Sequence, residues 1–322
     1  MKLSRLNTAS ASSAARITQL WNAACGPELS IRERFARFNL EPAAGAELAA
    51  CQVELEGQAA GFVLASAAHP PVAGLEHPAG WVEALAVRPD FQGRGLGGRL
   101  LAWAGDWLAA RGCRTIRLGG GLRPFVPGLP VELGSQPFFT RRGFQAEAET
   151  GRVWDMAGLL ESYRPPAAVK GRPVSVQPLQ AEEEPELEAF FAREFPGRWR
   201  YEFQEHRRQH ARLADYLVLR TTQGVDGFCQ LTLEDSLRPL DRFHMHGLPR
   251  PWGQLGPIGV SERCRGQGLG ALLLDAGLNF LRARGVAGCV IDWTHLRDFY
   301  QKFGFYAKRE YLIMHKDLHS HA

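Results

Sequence analysis

The 322-residue chain has no Cys-x-x-Cys pair and no apolar run near the roughly 18 residues that a membrane-crossing helix needs. Its six cysteines (Cys25, Cys51, Cys113, Cys229, Cys264 and Cys289) are scattered. That spacing excludes a disulfide frame and a zinc site, and implies reduced thiols in a cytoplasmic protein. Excess charge of either sign is also missing: 38 basic against 34 acidic residues leave +4. A nucleic-acid protein would cluster basic residues on one face, so no nucleic-acid partner is expected, and no membrane. Acidic residues are absent before Glu28, in a Ser- and Arg-rich stretch that resembles a transit peptide. Because the second half opens with equivalent elements, this stretch reads instead as a first strand and helix.

What the chain does have is a long-range repeat. A length of 322 residues suggests two domains at about 150 residues each. The segment "YRPPAAVKGRP" (163–173) reads as a linker, with three prolines and no apolar period. It separates an N-terminal domain, 1–162, from a C-terminal domain, 174–322. "FQGRGLGGRLL" (91–101) and "CRGQGLGALLL" (264–274) are near copies, each preceded by a buried-strand pattern, "GWVEALAV" and "GQLGPIGV". Helical spacing follows in both: Leu96, Leu100, Trp103 and Trp107, then Leu269, Leu272, Leu273, Ala276 and Phe280. Both helices stop at an Arg-Gly pair, and strands are expected at 113–119 and 288–293. "AEEEPELEAFFAREF" (181–195) reads as a helix, and 216–233 as a hairpin turning near Gln223-Gly224, with a counterpart at 51–66. Aromatic pairs close each half, "FFTRRGF" (138–144) and "FYQKFGF" (299–305). The loops lie 173 residues apart (Gln92 to Arg265) but the aromatic motifs 161 (Phe139 to Tyr300). The difference of 12 marks an insertion in the first half, around "GGGLRPFVPGLPVE" (119–132).

A glycine loop between a strand and a helix aims backbone N–H groups and the helix dipole at one spot, which favours an anion. Glycine also allows close approach of the backbone. A Walker loop is excluded, because neither copy has Gly-Lys-Ser/Thr. The first copy does contain a dinucleotide fingerprint (Gly93, Gly95, Gly98), and the second has Ala271 at the last place. A dinucleotide fold, however, would open the chain with this unit and carry an acid about 20 residues on. Three strands precede the loop here.

The remaining pattern, Gln92-Gly93-Arg94-Gly95-Leu96-Gly97 and Arg265-Gly266-Gln267-Gly268-Leu269-Gly270, resembles the pyrophosphate loop of the GNAT acetyltransferases. With the preceding "LAV" and "PIGV" strands and the downstream "FYQKFGF", the resemblance covers most of both halves. The layout is similar to the tandem GNAT proteins, mycothiol synthase among them. It implies an α/β fold: two GNAT-type domains, each a mixed, mostly antiparallel sheet flanked by helices. It also implies an N-acetyltransferase using acetyl-CoA as co-substrate, with no metal. Main-chain groups of Ile258, Gly259 and Val260, and of Leu85, Ala86 and Val87, would then hold the pantetheine arm, while the glycine loops cradle the pyrophosphate.

By the same resemblance, Tyr300 matches the tyrosine that commonly protonates the departing thiolate, whereas Phe139 in the first half has no proton to give. The C-terminal domain is therefore expected to be catalytic and the N-terminal one degenerate, though still able to bind acetyl-CoA. Two features depart from the family pattern. Trp293 and Glu132 stand where many relatives carry asparagine, and the strand carboxylate often used as base is present as Glu83 but replaced by Gly256 in the second half. A base there would come from Glu234, Asp235, Asp292, His295 or water. His206 and His210 share a helical face but lack the glutamate of a metalloprotease helix, so a solvated basic face is expected. "HMH" (244–246) is a candidate for a substrate mouth. The "GGGLRPFVPGLP" segment either closes over the first cofactor site or fills the domain interface. The aromatic run "FPGRWRYEF" (195–203) either builds an acceptor pocket or packs the core. The expected acceptor is a primary amine of a small molecule. A non-catalytic acyl-CoA sensor and a protein or peptide acetyltransferase are the alternatives.

Overall fold

The computed structural model describes residues 1–148, 151–166, 174–240 and 247–318. They form two compact units: Met1–Val153 with the chain from Arg309 onward, and Trp154–Leu240 with Gly247–Lys308. The first unit runs β1 (Lys2–Leu6), α1 (Ala11–Cys25), α2 (Glu33–Asn39), β2 (Ala46–Leu55), β3 (Gln58–Ala68), β4 (Ala79–Val87), α3 (Leu96–Ala109) and β5 (Thr115–Leu118). β6 (Leu129–Pro130), α4 (Gln136–Thr140) and β7 (Gln145–Ala146) follow, and β8 (Arg152–Leu159) leads into the second unit. There the order is β9 (Ser175–Pro178), α5 (Glu184–Glu194), α6 (Arg198–Arg208), β10 (Tyr216–Thr221), β11 (Gly224–Leu233), β12 (Trp252–Val260), α7 (Leu269–Ala283), β13 (Gly288–Thr294) and α8 (Arg297–Gln301). β14 (Tyr306–Leu312) and β15 (Met314–Asp317) end the chain's regular structure among the described residues.

The repeat expected from sequence is present in the topology. The first sheet is ordered β1-β2-β3-β4-β5-β15-β7, and the second unit's strands run β8-β13-β12-β11-β10-β9. Neighbours pair antiparallel except at one place in each, β4 with β5 and β12 with β13. Those parallel pairs are joined by α3 and α7, as a crossover requires. Each crossover helix packs one apolar face on its sheet: Leu100, Ala104 and Leu108 in α3, and Leu273, Leu274, Leu278 and Leu281 in α7, are buried. Just past each helix, Gly112 and Gly285 take φ of 73° and 81°, the left-handed stop expected of the Arg-Gly pairs.

The boundary departs from a single cut at 163–173. β15 lies between β5 and β7, with Met314 paired to both Leu118 and Ala146. Leu312 and Met314 are buried in the first unit's core. β8, from the first half of the sequence, pairs with β13 and puts Met156 into the second core. Tyr163, placed in the linker from sequence, is also buried there, and its hydroxyl donates to Asp275 at 2.7 Å. Residues 167–173 lie outside the described residues. Each unit therefore completes its sheet with a strand from the other half of the sequence. No described helix is long and apolar enough to cross a membrane.

Candidate active site

In each unit the parallel strand pair opens into a wedge. β4 and β5 pair only from Gly80 to Val82, and β12 and β13 only from Trp252 to Gln254. Beyond those points β4 runs on to Val87 and β12 to Val260, bonded to β3 and β11 on the other side. A β-bulge sits at the fork of each wedge. Leu64 pairs with Ala84 and Ala65 with Val82, so Glu83 is the extra residue, and a bulge re-aims the side chain it carries. In the second unit Cys229 pairs with Ile258 and Leu231 with Leu255, leaving Gly256 and Pro257 in the bulge. There the carboxylate is gone, and Pro257 has no N–H to offer.

The two glycine loops share one conformation. Gly93 and Gly95 have φ of 74° and 80°, Gly266 and Gly268 72° and 77°. Gly95 and Gly268 are the N-caps of α3 and α7, and no side chain caps either helix. The first-turn N–H groups have no intrahelical acceptor and face outward, with the dipole behind them. A Cβ on Gly93, Gly95 or Gly266 would meet nothing within 4 Å, so the space they line is open. Polar side chains brace the approach to each loop. Gln92 Nε2 donates to Val87 O at 2.9 Å, and Gln267 Nε2 to Arg263 O at 2.7 Å. Asp226, fully buried, accepts from Ser261 Oγ and Arg263 Nη2, both at 2.7 Å, and from Thr221 Oγ1 at 2.5 Å. Burial pushes its carboxyl up, but these donors outweigh it and hold the pKa below the usual carboxylate range.

What surrounds the two wedges differs. In the first unit a cavity of about 650 Å³ runs from the glycine loop past Leu85–Val87 to the last turn of α1, where Trp21, Ala24 and Cys25 line it. This is the size of a small-molecule site. Glu83 reaches its wall, is 4% exposed, and accepts a hydrogen bond from Ser66 Oγ at 2.5 Å. Trp21 presents only ring to the cavity, because its indole N–H donates to Leu29 O at 2.7 Å. Burial pushes the Cys25 thiol up to about 12, so it stays protonated at neutral pH. Phe138 and Phe139 form part of the wall near the loop. Of the 119–130 segment, Gly119, Val126, Gly128, Leu129 and Pro130 line this cavity.

In the second unit the corresponding sheet face is covered by the protein's own aromatics. A Cβ on Gly259 would lie 2.7 Å from Phe195 and 2.9 Å from Trp199. Phe195 and Trp199 are locked into a ring cluster with Phe190 and Phe228, with centroids 4.7–5.9 Å apart. The 195–203 run thus packs at its start, and Phe203 is fully buried in the same cluster. Tyr300 is 3% exposed inside the second core. Burial pushes its hydroxyl up to about 12, partly offset by a hydrogen bond with Thr294.

The other sequence candidates are placed as follows. The Trp293 N–H donates to buried Asp155 at 3.1 Å and its ring lies 4.3 Å from the Arg198 guanidinium; Glu132 pairs with Arg309. Asp292 accepts from Gln254 at 2.7 Å, Asp235 pairs with Arg212, Glu234 with Arg250, and His295 is exposed. His210 is exposed as expected, but His206 is not on a solvated face: its Nδ1 lies 2.7 Å from the Tyr216 hydroxyl. Burial lowers its pKa to about 4. Among the described residues no cluster of three metal-ligating side chains occurs. Residues 244–246 lie outside the described residues. The sequence reading missed Ser66, Trp21 and Gly121. The run Gly119–Gly121 was a signal that a backbone comes close to something, but not to what.

Residues 14–144 and 180–305 each match the model of the acetyltransferase (GNAT) family. The chain belongs to the GNAT acetyltransferase family. It carries two GNAT domains in tandem, and the family uses acetyl-CoA as co-substrate. Over 79 residues it is 37% identical to an aminoglycoside N(6')-acetyltransferase type 1 of Stenotrophomonas maltophilia, covering 24% of this chain and 50% of that protein. It thus spans half the length of that curated relative. Among solved structures it is similar to the GCN5-related glucosamine N-acetyltransferase region of a fungal multi-domain GH3 β-N-acetylglucosaminidase. The TM-score is 0.86 at 24% identity, over 98% of this chain and 38% of the other. A tandem GNAT protein from the clavulanic acid biosynthesis pathway matches with TM-score 0.69 and 16% identity over 98% of both chains. These structural likenesses establish the fold. The first unit's residues fit acetyl-CoA: an open wedge, an uncapped helix behind left-handed glycines, and a cavity continuous with both.

Proposed function

We propose that the protein transfers the acetyl group of acetyl-CoA to the primary amine of a small molecule, and that the first unit performs the transfer. The observation that carries this reading is Glu83, a buried carboxylate at the bulge of β4, on the wall of a cavity that also reaches the glycine loop. Main-chain groups of Leu85–Val87 would hold the pantetheine arm and those of Gln92–Gly97 the pyrophosphate. Bound acetyl-CoA supplies an activated thioester. Glu83 accepts the proton that the attacking nitrogen must lose, and the apolar walls of Leu118, Leu129 and Pro130 keep bulk water from competing. Phe139 provides no acid for the leaving sulfur, which in this reading departs as a thiolate and takes its proton from solvent.

The reading that places transfer in the C-terminal domain rests on Tyr300, the residue at the family's acid position. Three features weigh against it: Phe195 and Trp199 fill the acceptor face, Gly256 stands in for the carboxylate, and the Tyr300 hydroxyl is buried in the core. The activities named for the two relatives make aminoglycosides and glucosamine the first amines to test. Dependence on acetyl-CoA and six free cysteines support a cytoplasmic location. The deciding experiment measures thiol release and acetylated product for Gly95→Val and Gly268→Val. Each valine puts a branched side chain where a phosphate would sit and is disfavoured at positive φ. Loss of activity in Gly95→Val alone supports the first unit. Loss in Gly268→Val alone returns the chemistry to the second.

A further inference from the structure

The insertion that distinguishes the first half packs against the acid/base group itself. Gly121, buried, comes so near Glu83 that a methyl group at that position would overlap both carboxylate oxygens. On the other side the same carboxylate is held by Ser66. The segment is pinned at several points. Phe125 is fully buried, with its ring centroid 5.5 Å from Trp21 and 5.4 Å from Phe35. Arg123 Nη1 donates to Phe38 O at 3.0 Å and Glu41 O at 3.1 Å. Farther along, Leu129 and Pro130 pair with Leu312 and Tyr311 of β14. The segment is thus clamped to the α1–α2 region at one end and to a strand at the other, with Val126 facing the cavity between.

We infer that this inserted segment is the acceptor-determining element of the enzyme: Gly121 positions the Glu83 carboxylate and Val126 forms the wall against which the acceptor amine sits. The inference rests on Glu83 being the base. A chain that lacked the segment would have the bulge carboxylate held on one side only, by Ser66. A carboxylate has two staggered torsions and a broad terminal one before its oxygens are placed, so a base needs walls on both sides. Ser66 and Gly121 supply them. Acceptor selection follows from the same segment, because the proposed cofactor contacts fall to other lining residues of the cavity, Leu85–Val87 and the glycine loop.

The test uses the full-length protein and four variants: Gly121→Ala, Glu83→Gln, the double variant, and Val126→Phe. The overlap at Gly121 falls on the far end of a flexible side chain, so Gly121→Ala folds and moves the carboxylate instead. Expected is a fall in kcat of about 10²-fold, the scale of a misplacement near 1 Å, with the KM for acetyl-CoA unchanged. In the Glu83→Gln background the added alanine changes kcat less than about 3-fold, because the two residues act as one unit. Val126→Phe raises the acceptor KM and reorders preference across an amine panel, again with the acetyl-CoA KM unchanged. If Glu83→Gln itself is silent, the base assignment fails. If Glu83→Gln is inactivating while Gly121→Ala keeps wild-type kcat, or its effect adds in full to that of Glu83→Gln, the positioning role is refuted. A Val126→Phe enzyme with unaltered acceptor KM and preference refutes the acceptor wall.

Discussion

Tyr300→Phe and Glu83→Gln, measured side by side, separate two ways of running the reaction. Tyr300 sits at 3% exposure and burial pushes its hydroxyl from 10 up to about 12. Two units correspond to about 2.7 kcal/mol of added resistance to giving up the proton. Proton transfer is most effective when the donor's pKa lies near the operating pH, so the shift moves Tyr300 away from the work of an acid. Replacing it with phenylalanine removes one hydrogen bond, worth about 1 kcal/mol, and keeps the ring in its packing. The expected outcome is a melting temperature lower by a few degrees and turnover within about threefold of wild type. Glu83→Gln keeps the shape of the side chain but leaves the amine proton no acceptor. Turnover should fall about 10²- to 10⁴-fold, or about 2.7–5.5 kcal/mol of barrier, the usual span of a positioned base. The assay is thiol release from acetyl-CoA at saturating amine, under conditions where the chemical step limits the rate. A hundredfold loss in Tyr300→Phe together with near wild-type turnover in Glu83→Gln refutes the reasoning.

His206 makes the second unit sensitive to mild acid. Its folded pKa is about 4 against 6.5 unfolded, chiefly because burial disfavours the charged ring, with Arg238 adding to this and Glu202, Asp215 and Glu205 opposing. The unfolded chain therefore binds the proton first, and stability should fall as pH drops from about 6.5 to 4, by about 3 kcal/mol, a loss that thermal melts of His206→Gln should not show. Truncation after Lys308 removes β15 from between β5 and β7 and takes Leu312 and Met314 out of the first core; acetyl-CoA should then no longer raise the melting temperature, and a truncated chain that still responds would contradict the strand assignment. Phe228→Ala, at a fully buried ring touching Phe191, Phe195 and Trp199, should cost about 3–5 kcal/mol in chemical denaturation.

Local chemistry was legible in the sequence, while non-local pairing and filling were not. The loops announced themselves because glycine spacing and the following apolar period are properties of short stretches, and φ at Gly93, Gly95, Gly266 and Gly268 agrees in both copies. The insertion was legible as well, as a length difference. β15 was not assigned to the first sheet, because alternation along a strand says which face is apolar but not which strand will be its neighbour. Tyr300 and Phe139 were compared as functional groups. Their surroundings decide more, and those depend on residues such as Phe195, Trp199, Trp21 and Ser66 that lie 73 to 118 positions away in sequence. His206 was read onto a solvated face from its i, i+4 partner His210; the pull of Tyr216, ten residues on, turned it inward.

The two halves show how a duplicated wedge diverges while its glycine loops keep one conformation. The glycine loops keep the same φ at their paired glycines, because glycine adopts that left-handed backbone at little cost. Divergence is concentrated where side chains meet the wedge. In the first half the bulge carries a carboxylate, α1 ends in Ala24 and Cys25, and an inserted segment walls the opening. In the second half the bulge carries Gly256 and Pro257, and Phe195 and Trp199 occupy the face. Exchanging those features piecemeal is not equivalent. Phe195→Ala and Trp199→Ala would open space in the second unit, yet they would supply neither a carboxylate nor the N–H that Pro257 lacks, and they would remove rings from a packed cluster. Opening the second face should therefore cost stability without creating activity. Restoring activity there requires the bulge to change first, with a glutamate at position 256 and a residue bearing an N–H at 257. A second-unit variant that acetylates amines after the two alanine changes alone would show that space, and not the base, is what the second half lost.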